Sequence, residues 1–304
     1  MNKKKLYIML LALTTQLFYA QQKTDSINKR LSKFSVLTIN YFNYGDSDIN
    51  TKVGKGKIKM DEWSAEFQFA APIIEKKLYL FNNLRYTNFT YDAVFDSADL
   101  NTTKNFHAIA YTAGFIKVLP KRWKLIFNFT PTIASDFKES LSSDDILIQA
   151  STLVTKRSSP YFEYGFGLAY TNSLGNPTAV PVINMTYKKN KWKTLIALPA
   201  YLSQYYMFNE NTQLGLKFAI YGNLYNSEAL NSFSSSYELN RVSYSRINIG
   251  PDFQTKLFKD FYLHIGTGIA LRNILEFQDN DLNTELDFNV DNKFYFNVGI
   301  KLLK

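Results

Sequence analysis

Residues 293–304 read KFYFNVGIKLLK, and the way this stretch divides decides the fold. Successive side chains of an extended chain alternate sides, so Phe294, Phe296, Val298, Ile300 and Leu302 share one face. Tyr295, Asn297, Gly299 and Lys301 share the other. A half-apolar strand at the end of a chain needs a partner for its edge. In a sheet that crosses a membrane that partner is the first strand, because lipid offers an open edge no hydrogen bonds.

Earlier segments carry the same period of two. Trp63, Ala65, Phe67, Phe69 and Ala71 oppose Ser64, Glu66, Gln68 and Ala70; Phe162, Tyr164, Phe166, Leu168 and Tyr170 oppose Glu163, Gly165, Gly167 and Ala169. Leu263, Ile265, Thr267, Ile269 and Leu271 oppose His264, Gly266, Gly268, Ala270 and Arg272. A soluble sandwich alternates in the same way. These runs exceed the usual strand of about 5–6 residues, however, and large apolar side chains facing small or polar ones is the outer-membrane barrel pattern. The 25 Phe, 21 Tyr and 3 Trp suit strands and interfacial girdles.

The chain opens MNKKKLYIMLLALTTQLFYAQQ, a basic start, an apolar run and a polar exit, which is the secretory signal pattern. The expected organisation is a signal peptide at 1–20, a periplasmic tether at 21–33 and the barrel at 34–304. Loss of the three lysines lowers the formal charge from +9 to +6. What remains is scattered, so nucleic acid is not an expected partner. With 0 Cys, thiol catalysis, disulfides and a lipidated cysteine anchor are excluded. No apolar run after the signal reaches the roughly 20 residues of a spanning helix.

Five short turns, at 75–77, 120–122, 158–160, 189–191 and 258–260, each precede a strand opening on an aromatic or Leu-Tyr. Longer polar stretches at 45–60, 92–103, 136–145 and 273–292 lie between them. Short periplasmic turns and long outer loops are the barrel habit. Upward strands begin near 34, 78, 123, 161, 192 and 261, and the doubled last gap calls for another hairpin. A turn at Gly222-Asn223, a weak strand over 224–235 and a return over 239–257 give 14 strands; without that pair there are 12.

With the large apolar side turned to lipid, the lumen-facing candidates are Glu62, Glu66, Gln68, Lys124, Asn128, Glu163, Lys217, Arg246, Asn248, Asp252, Gln254, Lys256, His264, Arg272, Asn297 and Lys301. Opposed charges in a hydrated lumen select solutes by charge and size, and the same residues could instead pair off in a closed interior. Lys55, Lys57 and Lys59 share parity with Trp63 and are candidates for contact with anionic lipid headgroups. His107 lies outward with Ile109, Tyr111 and Phe115. Barrel lipases pair an outward His with a Ser, but no Ser can be placed beside it from sequence, so no catalytic residues, metal site or cofactor are expected. The expected partners are outer-membrane lipids, the barrel-assembly machinery and a small polar solute.

The segments WKTLIALPAYL (192–202), RINIGPDFQTKLFKDFYL (246–263) and GTGIALRN (266–273), with the Ala20-Gln21 boundary, resemble an uncharacterised family of outer-membrane β-barrels of Bacteroidetes-type bacteria. The resemblance implies a porin-like fold and an outer-membrane location, and it brings no catalytic residues. Two functions remain open from sequence: a channel for small polar solutes, and a closed barrel whose long loops, notably 45–60 and 273–292, bind a partner or stabilise the envelope.

Overall fold

A computed structural model describes residues 34–96, 102–227 and 239–304. The expected signal peptide and tether lie outside them. Fifteen strands follow in order: β1 (Ser35–Thr51), β2 (Gly54–Ile74), β3 (Leu78–Phe95), β4 (Thr102–Leu119), β5 (Trp123–Ser135), β6 (Ile146–Ser159), β7 (Phe162–Thr171), β8 (Thr178–Lys189), β9 (Trp192–Leu198), β10 (Tyr201–Met207), β11 (Thr212–Asn226), β12 (Arg241–Phe258), β13 (Phe261–Gln278), β14 (Thr284–Asp287) and β15 (Lys293–Leu303). Each pairs antiparallel with its neighbour, except that β14 only folds back on β13. The ring closes where β15 meets β1, Ile300 opposite Ile39 and Val298 opposite Tyr41, so 14 strands form an up-and-down barrel.

The strand number agrees with the sequence, but one hairpin sits elsewhere. Gly222 and Asn223 lie inside β11, and residues 224–226 are its end. The missing turns are at Pro199-Ala200, between β9 and β10, and at 208–211, between β10 and β11. Two of the presumed loops are largely strand: β1 and β2 run to Thr51 and from Gly54, and 273–292 holds the end of β13, then β14.

Outward side chains form an apolar band in which Phe166, Leu168, Leu216 and Ile183 are well exposed. Its lower edge is an aromatic girdle. Trp192 and Tyr206 lie 5.2 Å apart, Phe258 and Phe261 4.9 Å, and Lys156 sits 5.0 Å over Trp123. Trp63 and Tyr86, 4.8 Å apart, mark the upper edge. These are the interfacial positions of a membrane barrel.

Above that edge the alternation reverses. On β3, Asn88, Thr90 and Asp92 face out, while Phe89, Tyr91 and Ala93 face in and are completely buried. The expectation that bulky apolar residues face lipid throughout therefore fails in the upper part, at the long-loop end. The cause is a narrowing of the ring. Ser135, ending β5, pairs directly and in parallel with Asn226, ending β11, so β6–β10 are bypassed. At this level the wall consists of nine strands, β1–β5, β11–β13 and β15. About eight strands enclose a bore that side chains alone can fill, whereas much larger barrels hold water. Opposite walls accordingly meet: Phe89 stacks on Tyr244 at 4.2 Å, Phe106 lies 5.2 Å from Tyr225, and Phe42 4.9 Å from Tyr221. Leu275, Phe277, Leu286 and Phe288 complete this core from the 273–292 region, so that segment packs into the barrel mouth.

Candidate functional site in the lower lumen

Beneath the aromatic core all fourteen strands are present and the inner wall becomes polar. Register places Glu62, Glu66, Gln68, Lys124, Asn128, Glu163, Lys217, Arg246, Asn248, Asp252, Gln254, Lys256, His264, Asn297 and Lys301 on this inner face. Arg272 is different. A bulge between Ser245/Ile247 of β12 and Leu271/Ile274 of β13 gives it φ 49 and leaves it exposed, because the extra residue reverses the parity that continues from His264. Inward positions thereafter are Asn273, Leu275 and Phe277.

Arg246 stands where core meets lumen. Its guanidinium lies 3.8 Å from the ring centre of Tyr44 and 4.6 Å from that of Tyr244, with Nη2 3.6 Å from Glu62 Oε2. Tyr244 donates its hydroxyl proton to the same carboxylate. The Nε, Nη1 and Nη2 atoms make no hydrogen bond within the protein, so stacking and charge hold this side chain. A second cluster lies closer to the short-turn end. Asp252 accepts from His264 Nε2 at 2.5 Å and from the Tyr205 hydroxyl at 2.9 Å, and Lys217 Nζ is 3.8 Å away. Lys124 pairs with Glu163 at 2.8 Å near the lower rim.

Access to water varies around the wall: Arg85 is exposed, whereas Asp252, His264 and Tyr262, nearer the short-turn end, are buried. Side-chain exposure is 2% for both Arg246 and Glu62, 14% for Lys217 and 36% for Lys124. This polar lower lumen forms a vestibule between the aromatic core and the short-turn end. Sequence reading missed several of its cations. Arg85 faces Glu66 across β2 and β3; Arg157, Lys188 and Lys193 project inward from β6, β8 and β9. The hairpin parity around residue 199 was the signal for Lys193, hidden because the β9–β10 turn went unrecognised. Below the core, nine inward cations (Arg85, Lys124, Arg157, Lys188, Lys193, Lys217, Arg246, Lys256, Lys301) face four carboxylates (Glu62, Glu66, Glu163, Asp252), an excess of five positive charges.

The remaining candidates lie outside the lumen. Lys55, Lys57 and Lys59 are exposed on the projecting β1–β2 hairpin and interleave with carboxylates: Lys57 opposes Asp48, Lys59 opposes Asp92 and lies 3.8 Å from Asp61. His107 is on the outer face, flanked in register by Asn88 on β3 and Ser135 on β5. The structure therefore supplies a Ser next to this His, which the sequence could not show. Yet Nδ1 of His107 is engaged by the Tyr86 hydroxyl at 2.6 Å, and Ser135 Oγ accepts from the Phe137 N–H and bonds the Asp145 carboxylate. Among the described residues no three His, Cys, Asp or Glu come together as a metal-ligand set.

A family described as a domain of unknown function, DUF6268, matches residues 18–303. The chain belongs to this DUF6268 family. No curated protein matches the sequence. Solved structures of similar shape include the COG4313 outer membrane channel of Pseudomonas putida F1, at 9% identity, 93% of this chain and 100% of that one, TM-score 0.47. The translocator domain of the autotransporter NalP from Neisseria meningitidis is similar at 11% identity, 98% and 97%, TM-score 0.39. Outer membrane phospholipase A from Escherichia coli is similar at 10% identity, 94% and 96%, TM-score 0.36.

Proposed function

We propose that this DUF6268 member resides in the outer membrane and handles small anionic solutes in its lower lumen. The observation that carries the reading is the excess of five inward positive charges in the wide, fourteen-strand part of the bore. Charges lining a lumen between low-dielectric walls attract counter-ions and exclude ions of their own sign. The packed aromatic core across the extracellular half supports a second reading for the axial route, a closed barrel in which the vestibule binds without straight-through flow. The apolar band and its girdles fit outer-membrane lipids as partners. No catalysis is proposed, since the hydroxyl of Ser135 and Nδ1 of His107 are each committed to other groups.

The test is the reversal potential of purified protein in a planar bilayer under a salt gradient. Chloride preference is expected, moving towards potassium preference when Lys193, Lys217 and Lys301 are all replaced by Glu. Potassium preference in the unsubstituted protein would reject the anion reading. A bilayer that stays silent with folded protein supports the closed reading.

A further inference from the structure

The wall of the barrel is not of even height. β9 and β10 have seven residues each, which at about 3.3 Å per residue and a tilt near 40° rise roughly 18 Å, short of the roughly 25 Å apolar band. The last partner of β10 on β11 is Ala219, opposite Tyr201, so residues 220–225 of β11 stand above the hairpin tip without a strand on that side, up to Asn226, which pairs with β5. On the other flank, β8 pairs with β9 only up to Ile183, leaving residues 178–182 unpaired there. The gap spans three inter-strand spacings, about 14 Å.

Unpaired backbone at membrane depth is tolerated only where protein buries it or where it lines a cavity. Here the connection from β7 to β8, residues 172–177, lies across the gap. Asn172 Nδ2 donates to Asn223 Oδ1 at 2.7 Å. The Ser173 carbonyl oxygen sits 2.5 Å from where a Cβ on Gly222 would be, so it fits because that position is glycine. Gly175 lies against the Ser243 hydroxyl. Register turns Ser243 and Ser245 outward, opposite Leu224 and Gly222, yet both are fully buried beneath this segment. The seat is thus made of small side chains and one amide–amide bond.

We propose that this gap is a lateral portal between the outer leaflet and the vestibule, shut in this structure by residues 172–177, and that its ligand is a single-chain amphipathic anion. The proposal deepens the anionic-solute reading and rests on it. Val180 and Val182 on the inner face of β8, with Ile220 on β11 and Leu174 in the segment, give the passage apolar edges that suit an acyl chain. Immediately below the hairpin tip, Lys217 occupies the inner face two residues from Ala219, with its ammonium 5.9 Å from the Tyr201 ring and 5.6 Å from that of Tyr221. An amphiphile entering sideways therefore meets a cation as its head leaves the lipid. The axial entrance offers no such route, because the aromatic core fills it.

The chain has 0 Cys, so Asn172→Cys with Asn223→Cys places one thiol pair across the portal without competitors. In proteoliposomes, transfer of radiolabelled laurate from the outer leaflet to an internal albumin trap is expected to fall at least tenfold in the oxidised protein and to recover on reduction. Asn223→Ala, which removes the tie without a crosslink, is expected to raise transfer severalfold. Equal laurate transfer in the oxidised and reduced protein, with the crosslink confirmed by mass, would overturn the portal. The chloride preference measured in parallel on the reduced protein keeps the two readings apart. If that preference holds while laurate transfer ignores the crosslink, the portal alone is wrong; if the preference is absent, the anionic lumen has failed.

Discussion

Replacing Phe89 by Ala tests whether the upper part of the bore is a packed core or a wet passage. Phe89 is completely buried, stacks on Tyr244 at 4.2 Å and lies 6.4 Å from Phe106 and 6.2 Å from Tyr225. Removing a ring from such a place costs about 3–5 kcal/mol, since the neighbours cannot fully close the cavity. The lost face-to-face partner is included in that and is worth about 0.5–1.5 kcal/mol. Phe166→Ala is the matched control. Phe166 is 59% exposed on the lipid side, where acyl chains flow into the vacated space, so only the transfer part, at most about 1.5–3 kcal/mol, is lost. The core substitution should exceed the control by roughly 2 kcal/mol. Reversible urea unfolding in lipid vesicles, followed by Trp fluorescence, measures both, and an unchanged denaturant slope shows that the same surface is exposed in each. A Phe89→Ala cost no larger than that of Phe166→Ala would mean that water already surrounds the ring, and the account of the narrowed nine-strand mouth would fall.

Glu62→Gln leaves the buried Arg246 without its counter-charge and is expected to cost about 3–5 kcal/mol in the same assay, with much of the loss recovered when Arg246→Met is added; additive losses would show that the two are not coupled. Burial pushes the Asp145 carboxyl up, but hydrogen bonds from the Ser142 N–H and the side chains of Asn226, Ser135 and Ser142 outweigh it and hold it below the usual carboxylate range. A lowered folded value means stability that is present above the unfolded value near 3.9 and is lost as pH falls below it. Protease sensitivity of the 136–145 segment should therefore rise only below about pH 4 and lose that dependence in Asp145→Asn; a rise near pH 6 would assign the effect elsewhere. Replacing Lys55, Lys57 and Lys59 together by Gln is expected to lower the temperature at which the cold-gel form is lost in anionic vesicles but not in zwitterionic ones, and equal behaviour in both would dispose of headgroup contact. A fluorophosphonate probe should label neither the unsubstituted protein nor Ser135→Ala, whereas labelling abolished by that substitution would make the Ser135–His107 pair an esterase site.

Much of the architecture was legible because a period of two is a local property. The faces of 293–304, the five short turns and the pairing of last strand with first all follow from side-chain alternation and from the need to satisfy edges in lipid. Errors arose where one residue changed the local rule. Pro199 interrupts WKTLIALPAYL, and proline cannot donate to a ladder, so it marked the turn that the apolar run concealed. Arg272 was assigned by parity carried forward from His264, and a single extra residue in β13 turned it out. No local pattern announces such a bulge.

The narrowing at Ser135 and Asn226 belongs to another class, since it depends on strands 91 positions apart along the chain. Its consequence was nevertheless written in the sequence. On β3 the apolar residues move from Leu84 and Tyr86 on one parity to Phe89, Tyr91, Ala93 and Phe95 on the other. No strand can turn its apolar face from lipid to lumen unless lipid ends and a protein interior begins at that height. The switch between Tyr86 and Phe89 therefore fixes the outer boundary of the membrane on this wall, and it implies a bore narrow enough there for side chains to meet across it. A barrel with fourteen strands throughout could not satisfy that second condition, so the inversion alone requires that some strands stop short. The strands that stop short are β6–β10, and the shortest of them, β9 and β10, leave the wall lowest where residues 172–177 cover it.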